Sequence, residues 1–174
     1  EVPQDYVFEG EAGKVKLSQL FGRGSTLLAY SFMYGPKMEK ACPSCTSILD
    51  ALEGTAPHVA QRTSFVVIAR SPLERILEHA RRRGWSHLRL LSSEGNTYNR
   101  DYHAETAEGA QMPMLNVFRN AGGAIRHFWG SELLHARTEE GQHPRHVDMA
   151  WPLWNLLDLT PEGRGVDWHP KLEY

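Results

Sequence analysis

Cys42-Pro43-Ser44-Cys45 holds both cysteines of the 174-residue chain. It stands where a strand-like apolar run, Leu27 to Tyr34, gives way through Gly35-Pro36 and a short polar loop to a helical pattern. In that helix Cys42 takes the N-cap. Pro43 takes the first helical position, where its missing N–H costs nothing and its fixed φ suits the helix. Cys45, Ile48, Leu49 and Leu52 then recur at helical spacing, so the second cysteine shares the inward apolar stripe, and Gly54 closes the pattern as a C-terminal cap. A thiol at a helix start faces unpaired backbone N–H groups and the positive end of the dipole, which favour thiolate. The two thiols therefore differ: Cys42 is the more exposed nucleophile, and Cys45 is the sheltered resolving thiol one turn away. A lone C-x-x-C has other readings, as half of a zinc site, a structural bridge or two small buried residues, so its surroundings must decide.

Downstream, Ser64-Phe65-Val66-Val67-Ile68-Ala69 is a continuous β-branched run of the kind a parallel strand covered on both faces shows. Ser71-Pro72-Leu73-Glu74 reads as a capping box with proline at the first helical position. Leu73, Ile76, Leu77 and Ala80 then form a stripe that stops at Gly84. Leu88 to Leu91 is a further short strand, and the alternation implies a parallel sheet with right-handed crossovers. Upstream, Tyr6 to Gly10 and Val15 to Leu17 read as a hairpin, followed by a helical turn at Ser18 to Phe21. The polar stretch Ser92 to Gln111 reads as a loop. It leads through Met112-Pro113 to strands Met114–Phe118 and Ala124–Trp129, joined by the turn Asn120-Ala121-Gly122-Gly123. Pro113 belongs at a strand mouth, where a cis peptide is tolerable. Thr138 to His146 is a polar loop, Asp148 to Leu157 a helix, and the remainder a tail of turns.

Composition sets the bounds. A chain of this length buries roughly two thirds of its unfolded surface in one domain without staples. A 41% apolar and 23% charged composition with a net charge of −2 is that of an ordinary globular protein with no electrostatic footprint for nucleic acid. The cluster Arg81-Arg82-Arg83 is explained as cations at a helix C-terminus. No apolar run approaches the ~20 residues of a membrane span, and two cysteines do not make a secreted disulfide scaffold, so a cytoplasmic setting is expected. No cofactor is expected.

The order of strand, C-P-S-C at a helix start, βα unit, and X-Pro leading into a hairpin resembles the thioredoxin fold. More narrowly, several stretches resemble the bacterial thioredoxin-like proteins grouped as domain of unknown function 899. They are Tyr30-Ser31-Phe32-Met33-Tyr34-Gly35-Pro36, Cys42-Pro43-Ser44-Cys45, Arg82-Arg83-Gly84-Trp85, and Asn155 to Arg164 with Asp167-Trp168. The resemblance implies an α/β, thioredoxin-like fold with a central mixed β-sheet flanked by helices. An N-terminal hairpin segment (1–26), a core (27–130) and a C-terminal helical extension (131–174) would form one domain. It also implies a cis Pro113 beside Cys42, with the Met112 backbone open to an extended peptide, and a substrate groove of Pro43, Ser44, Met112 and Pro113. Ala41 and the central Pro-Ser dipeptide depart from thioredoxin, which leaves the potential anywhere in a range of roughly −270 to −120 mV. No acidic residue stands on Leu27 to Met33 to act as a buried proton acceptor, and Glu39 is the nearest carboxylate in sequence.

The expected activity is therefore thiol–disulfide exchange, with a protein or small-molecule thiol or disulfide as partner. Two alternatives stand beside it. A peroxiredoxin-like peroxide reductase would also use Cys42, with Arg119 or Arg126 near the thiolate. That family, however, places Thr or Ser three residues before its cysteine, and here the position is Glu39. A zinc-binding or redox-sensing protein would add His143 and His146, whose spacing is short for a zinc site. Trp151 and Trp154 read as core, with a homodimer contact as their other use.

Overall fold

In the computed structural model, residues 1–22, 24–132, 140, 150–165 and 168–174 are described. The first strands, β1 (Val7–Gly10) and β2 (Gly13–Lys16), form the expected hairpin, and a 3-10 turn at Leu17–Gln19 leads to β3 (Thr26–Phe32). Helices α1 (Pro43–Glu53) and α2 (Ala56–Val59), strand β4 (Ser64–Ala69), helix α3 (Leu73–Arg83) and strand β5 (Leu90–Ser92) follow. Then come α4 (Tyr98–Asp101), the hairpin of β6 (Met114–Ala121) and β7 (Ala124–Glu132), and α5 (Pro152–Leu157). The sheet runs β2-β1-β5-β4-β3-β6-β7. Its centre, β3, β4 and β5, is parallel, while β1 joins β5 and β6 joins β3 antiparallel. The sheet is thus mixed, parallel where βα crossovers impose it and antiparallel where hairpins do.

Side-chain alternation divides the interior in two. On β3 and β4, Tyr30, Phe32, Val67 and Ala69 face α1 and α3, while Ala29, Val66 and Ile68 face the opposite layer of Phe8, Leu91, Tyr98 and Phe118. The first layer also receives Trp151 and Trp154. These rings are 1% and 0% exposed, so the core reading holds and neither ring is available as a dimer contact. Their centroids lie 4.6 Å apart, and the Trp151 indole N–H donates to Ser47 Oγ on α1 at 3.2 Å. Behind them, Arg164 forms a two-pronged pair with Asp158, 2.7 Å at each prong, and its guanidinium lies 5.4 Å from the Trp154 ring. The motif Asn155 to Arg164 is therefore a buttress beneath the helix that carries the cysteines.

Several expectations change. The capping box at Ser71 does not form. The Ser71 carbonyl accepts from Ser92 Oγ at 2.6 Å, the chain stays extended through Pro72, and the helix begins at Leu73 with no side-chain cap. Gly54 caps α1 in the right-handed region, φ −69°, because the chain turns on into α2 rather than leaving the helix. Gly84 does adopt the left-handed cap, φ 75°. The stretch Ser92 to Gln111 contains α4, a helix too short to show a periodicity, which seats Tyr98 and Tyr102 in the second core layer. Leu88 and Arg89 precede β5 rather than starting it. The described helix near Trp151 is Pro152–Leu157, while Asp148, His143 and His146 lie outside the described residues, as does Asp167. No peptide bond among the described residues is cis, so the Met112–Pro113 bond is trans, the form favoured by about 0.5–1 kcal/mol for an X–Pro bond. The Met112 N–H donates to the Ala104 carbonyl at 2.9 Å, and Glu105 bridges Gln111. This local closure, not an open edge, sets the approach to β6.

The arginine cluster is a solvated helix end, as expected. Arg81 pairs with Glu74 at 2.6 Å and Arg82 with Glu78 at 3.8 Å. Arg83 has a further job: it holds Asp50 on α1 and donates to the Leu172 carbonyl at 3.0 Å, while the Trp85 indole binds Asp50 at 2.8 Å. The Arg82-Arg83-Gly84-Trp85 motif thereby fastens α3 to α1.

Candidate active site

The end of β3 delivers the chain to the first turn of α1. The Cys42 N–H donates to the Met33 carbonyl at 3.1 Å, and its own carbonyl accepts the first helical bond from Thr46 N–H at 2.9 Å. Cys42 is the N-cap, in extended backbone, and its sulfur accepts from the Cys45 N–H at 3.5 Å. Both cysteines are free thiols, Cys42 half-buried and Cys45 buried. The sequence geometry of cap, proline and inward second cysteine therefore stands, with Pro43 exposed and Ser44 half-buried beside the sulfur.

Electrostatics separates the two thiols. The hydrogen bond from the Cys45 thiol lowers the Cys42 thiol to about 6, burial works against this, and the Cys45 and Ser44 N–H groups assist it. Burial pushes Cys45 well up, and the hydrogen bond and charge of Cys42 push it further. At neutral pH the site is a Cys42 thiolate held by a Cys45 thiol. The sign of the resulting stability term follows: a thiol lowered in the folded state contributes stability that is full above its unfolded value and lost as pH falls through the folded one. Alkylation of reduced protein by iodoacetamide should rise with pH through an inflection near 6 and level off by neutrality, at one equivalent per chain. An inflection near the ordinary thiol value of about 8.5 would refute this arrangement.

His79, on α3, was not singled out by the sequence, although its position three residues after Ile76 puts it on the inward face. It is 6% exposed, packed on Phe32, Tyr34 and Trp85, with Nε2 3.1 Å from Thr46 Oγ1. Thr46 Oγ1 also reaches the Cys42 carbonyl at 2.9 Å. Burial, with Arg82 and Arg83 nearby, lowers His79 to about 4, so it is neutral where Cys42 is a thiolate. Because its folded value lies below its unfolded one, it weakens the fold as pH falls from about 6.5 towards 4, by up to about 3 kcal/mol. Urea midpoints of the oxidised protein, in which the cysteines no longer titrate, should drop across that window and drop less in His79→Gln. An equal drop in both proteins would exonerate His79.

An open cleft of about 540 Å³ lies along the loop that leads into Cys42, lined by Tyr34, Glu39, Lys40, Ala41, His79 and Arg82 among others, with neither cysteine in its wall. Glu39 is exposed here and is no buried proton acceptor. On the other side, Ser31 pairs with Met114 at the start of β6, so Met112 and Pro113 enter the sheet at the same end as Met33 and Cys42. Arg119 pairs with Thr26 at the opposite end of β3 and with Arg126 across the hairpin; neither arginine serves the thiolate. No group of three or more potential metal ligands occurs among the described residues.

A mixed sheet flanked by helices in this order is a thioredoxin-like fold, and solved structures agree. The exposed lipoprotein thioredoxin of Streptococcus pneumoniae superposes with a TM-score of 0.53 at 11% identity, over 78% of this chain and 92% of that one. Peroxiredoxin Q of Xanthomonas campestris, as a cysteine-to-serine mutant, gives 0.52 at 13% identity, over 70% and 79%. The reduced 2-Cys peroxiredoxin of Plasmodium vivax gives 0.51 at 14%, over 72% and 80%. At these identities the likeness is one of fold. No curated protein matches the chain. Residues 1–174 match the bacterial proteins of unknown function grouped as DUF899, and the chain belongs to that family.

Proposed function

We propose that this protein is a thiol–disulfide oxidoreductase working through Cys42 and Cys45. The Cys42 thiolate attacks a substrate disulfide, forming a mixed disulfide and releasing one substrate thiolate. The Cys45 sulfur then attacks Cys42, closing the Cys42–Cys45 disulfide and releasing the second thiolate, which takes up the proton from Cys45. The oxidised pair is returned to the dithiol by an external dithiol, or two equivalents of a monothiol, which leaves as its own disulfide. Pro43, Ser44, Met112 and Pro113 would border the substrate, a protein or small-molecule disulfide, in a reducing, cytoplasmic setting. The observation that carries this reading is the division of labour between the thiols, with a half-buried sulfur lowered to about 6 beside a buried one held protonated. No helix among the described residues is long and apolar enough to cross a membrane.

Equilibration of the purified protein against glutathione and dithiothreitol buffers tests it. The expected result is one reversible two-electron transition, at a potential within the roughly −270 to −120 mV spanned by dithiol pairs on related folds. Absence of a reversible transition would end the proposal. Peroxide reduction has less support, since position 39 holds an exposed Glu where a peroxiredoxin has Thr or Ser. Hydrogen peroxide should oxidise Cys42 no faster than it oxidises a simple thiolate.

A further inference from the structure

Tyr30 stands in the middle of β3, held between Val67 of β4 and Leu115 of β6, with its ring in the core layer that also contains Cys45. It is 0% exposed, and its hydroxyl has no hydrogen-bond partner among the described residues. A buried hydroxyl left in that condition costs stability, and Phe would fill the same space without it. The hydroxyl and the Cys45 thiol share that layer and perturb each other's ionisation, with no hydrogen bond formed between them at rest.

We infer that Tyr30 is a catalytic residue of the resolving step, its O–H donating to the Cys45 sulfur as that thiol becomes the attacking thiolate. The inference rests on the oxidoreductase reading and adds a group to it. Cys45 is the harder thiol to ionise because it is buried; forming the mixed disulfide removes the opposing charge of Cys42, but the burial remains. A donor that meets the negative charge only as it forms favours the step without holding the resting thiol. Tyr30 acts as donor and not as base: burial, with Cys45 beside it, raises its hydroxyl well above the usual phenol range. The proton leaves Cys45 with the departing substrate thiol, the sulfur–sulfur bond to substrate breaks, and the Cys42–Cys45 bond forms; Tyr30 keeps its own proton throughout. Other titrating groups do not duplicate this role. His79 on α3 binds Thr46, and Glu39 and Lys40 on the preceding loop are exposed in the cleft.

Stopped-flow reaction of the reduced protein with dithiobis-nitrobenzoate reads both steps, because each releases one coloured thiolate. Wild-type protein should show a fast phase for Cys42 and a slower one for Cys45. Tyr30→Phe should leave the first phase within about twofold and slow the second by about tenfold near neutral pH, the scale of a lost hydrogen bond to a charged group. The difference should narrow at high pH, where Cys45 ionises without help, and the urea midpoint of the reduced variant should equal or exceed that of wild type. An unchanged second phase, equal slowing of both phases, or a lower midpoint with unaltered kinetics would each overturn the assignment to Cys45. A wild-type protein with no second phase would instead remove the oxidoreductase reading itself.

Discussion

Cys42→Ser should reduce disulfide turnover by more than about a hundred-fold, because a serine hydroxyl is not ionised near neutral pH and the remaining thiol, Cys45, is buried and held protonated. Cys45→Ser should fail differently. Its Cys42 still attacks, but the mixed disulfide has no resolving thiol and persists as an adduct of one substrate per chain, visible by intact-mass measurement and reversed by dithiothreitol. Since the Cys45 thiol is the chief cause of the low Cys42 value, capture should be slower at pH 6 than in wild type, and slower still in Cys45→Ala, which offers no donor. Retained turnover in either serine variant would discard the two-thiol mechanism. Equal capture rates in the serine and alanine variants would discard the hydrogen bond as the cause of the thiolate.

The largest stability effect is expected at Trp154→Ala. The side chain is fully buried, packed at a tilt against Trp151 on one side, and approached by Trp168, at 6.0 Å between centroids, and by the Arg164 guanidinium. Removal of a buried aromatic of this size costs about 3–5 kcal/mol, a large part of the 5–15 kcal/mol typical of a domain. The urea midpoint should fall accordingly with little change in slope. Because Trp151 and Trp154 pack on the helix that presents Cys42, the remaining folded protein should also show a broadened range of thiol reactivity. A loss below about 1 kcal/mol would mean that α5 merely rests on the surface.

What could be read in the chain beforehand followed from local physics. Helix N-caps, proline at the first turn and apolar spacing act over a few residues, so the placement of Cys42 and the inward turn of Cys45 were legible, as were β3, β4 and the parallel alternation. The Asn120 to Gly123 turn was legible too: it needs two left-handed residues, and Gly122 and Gly123, at φ 64° and 89°, supply them. Expectations failed where a local signal competed with a distant partner. Ser71 looks like a cap, yet Ser92 takes its carbonyl. Pro113 follows a segment closed by Ala104, and α4 is secured by aromatic packing rather than by a pattern of its own.

The chemistry divides along the same line. By itself the sequence determined that two thiols of unequal exposure sit at the start of a helix after a central strand, because that arrangement is written within twenty residues and depends on backbone preferences alone. Only the tertiary structure decided what surrounds them. Tyr30 of β3 and Cys45 of α1 are buried in one core layer, His79 meets Thr46 from a different crossover helix, and Trp151 reaches Ser47 from more than a hundred residues away. Such contacts arise because burying apolar faces of sheet and helices brings whatever else those faces carry into one place, and no short-range rule encodes which side chains will meet there.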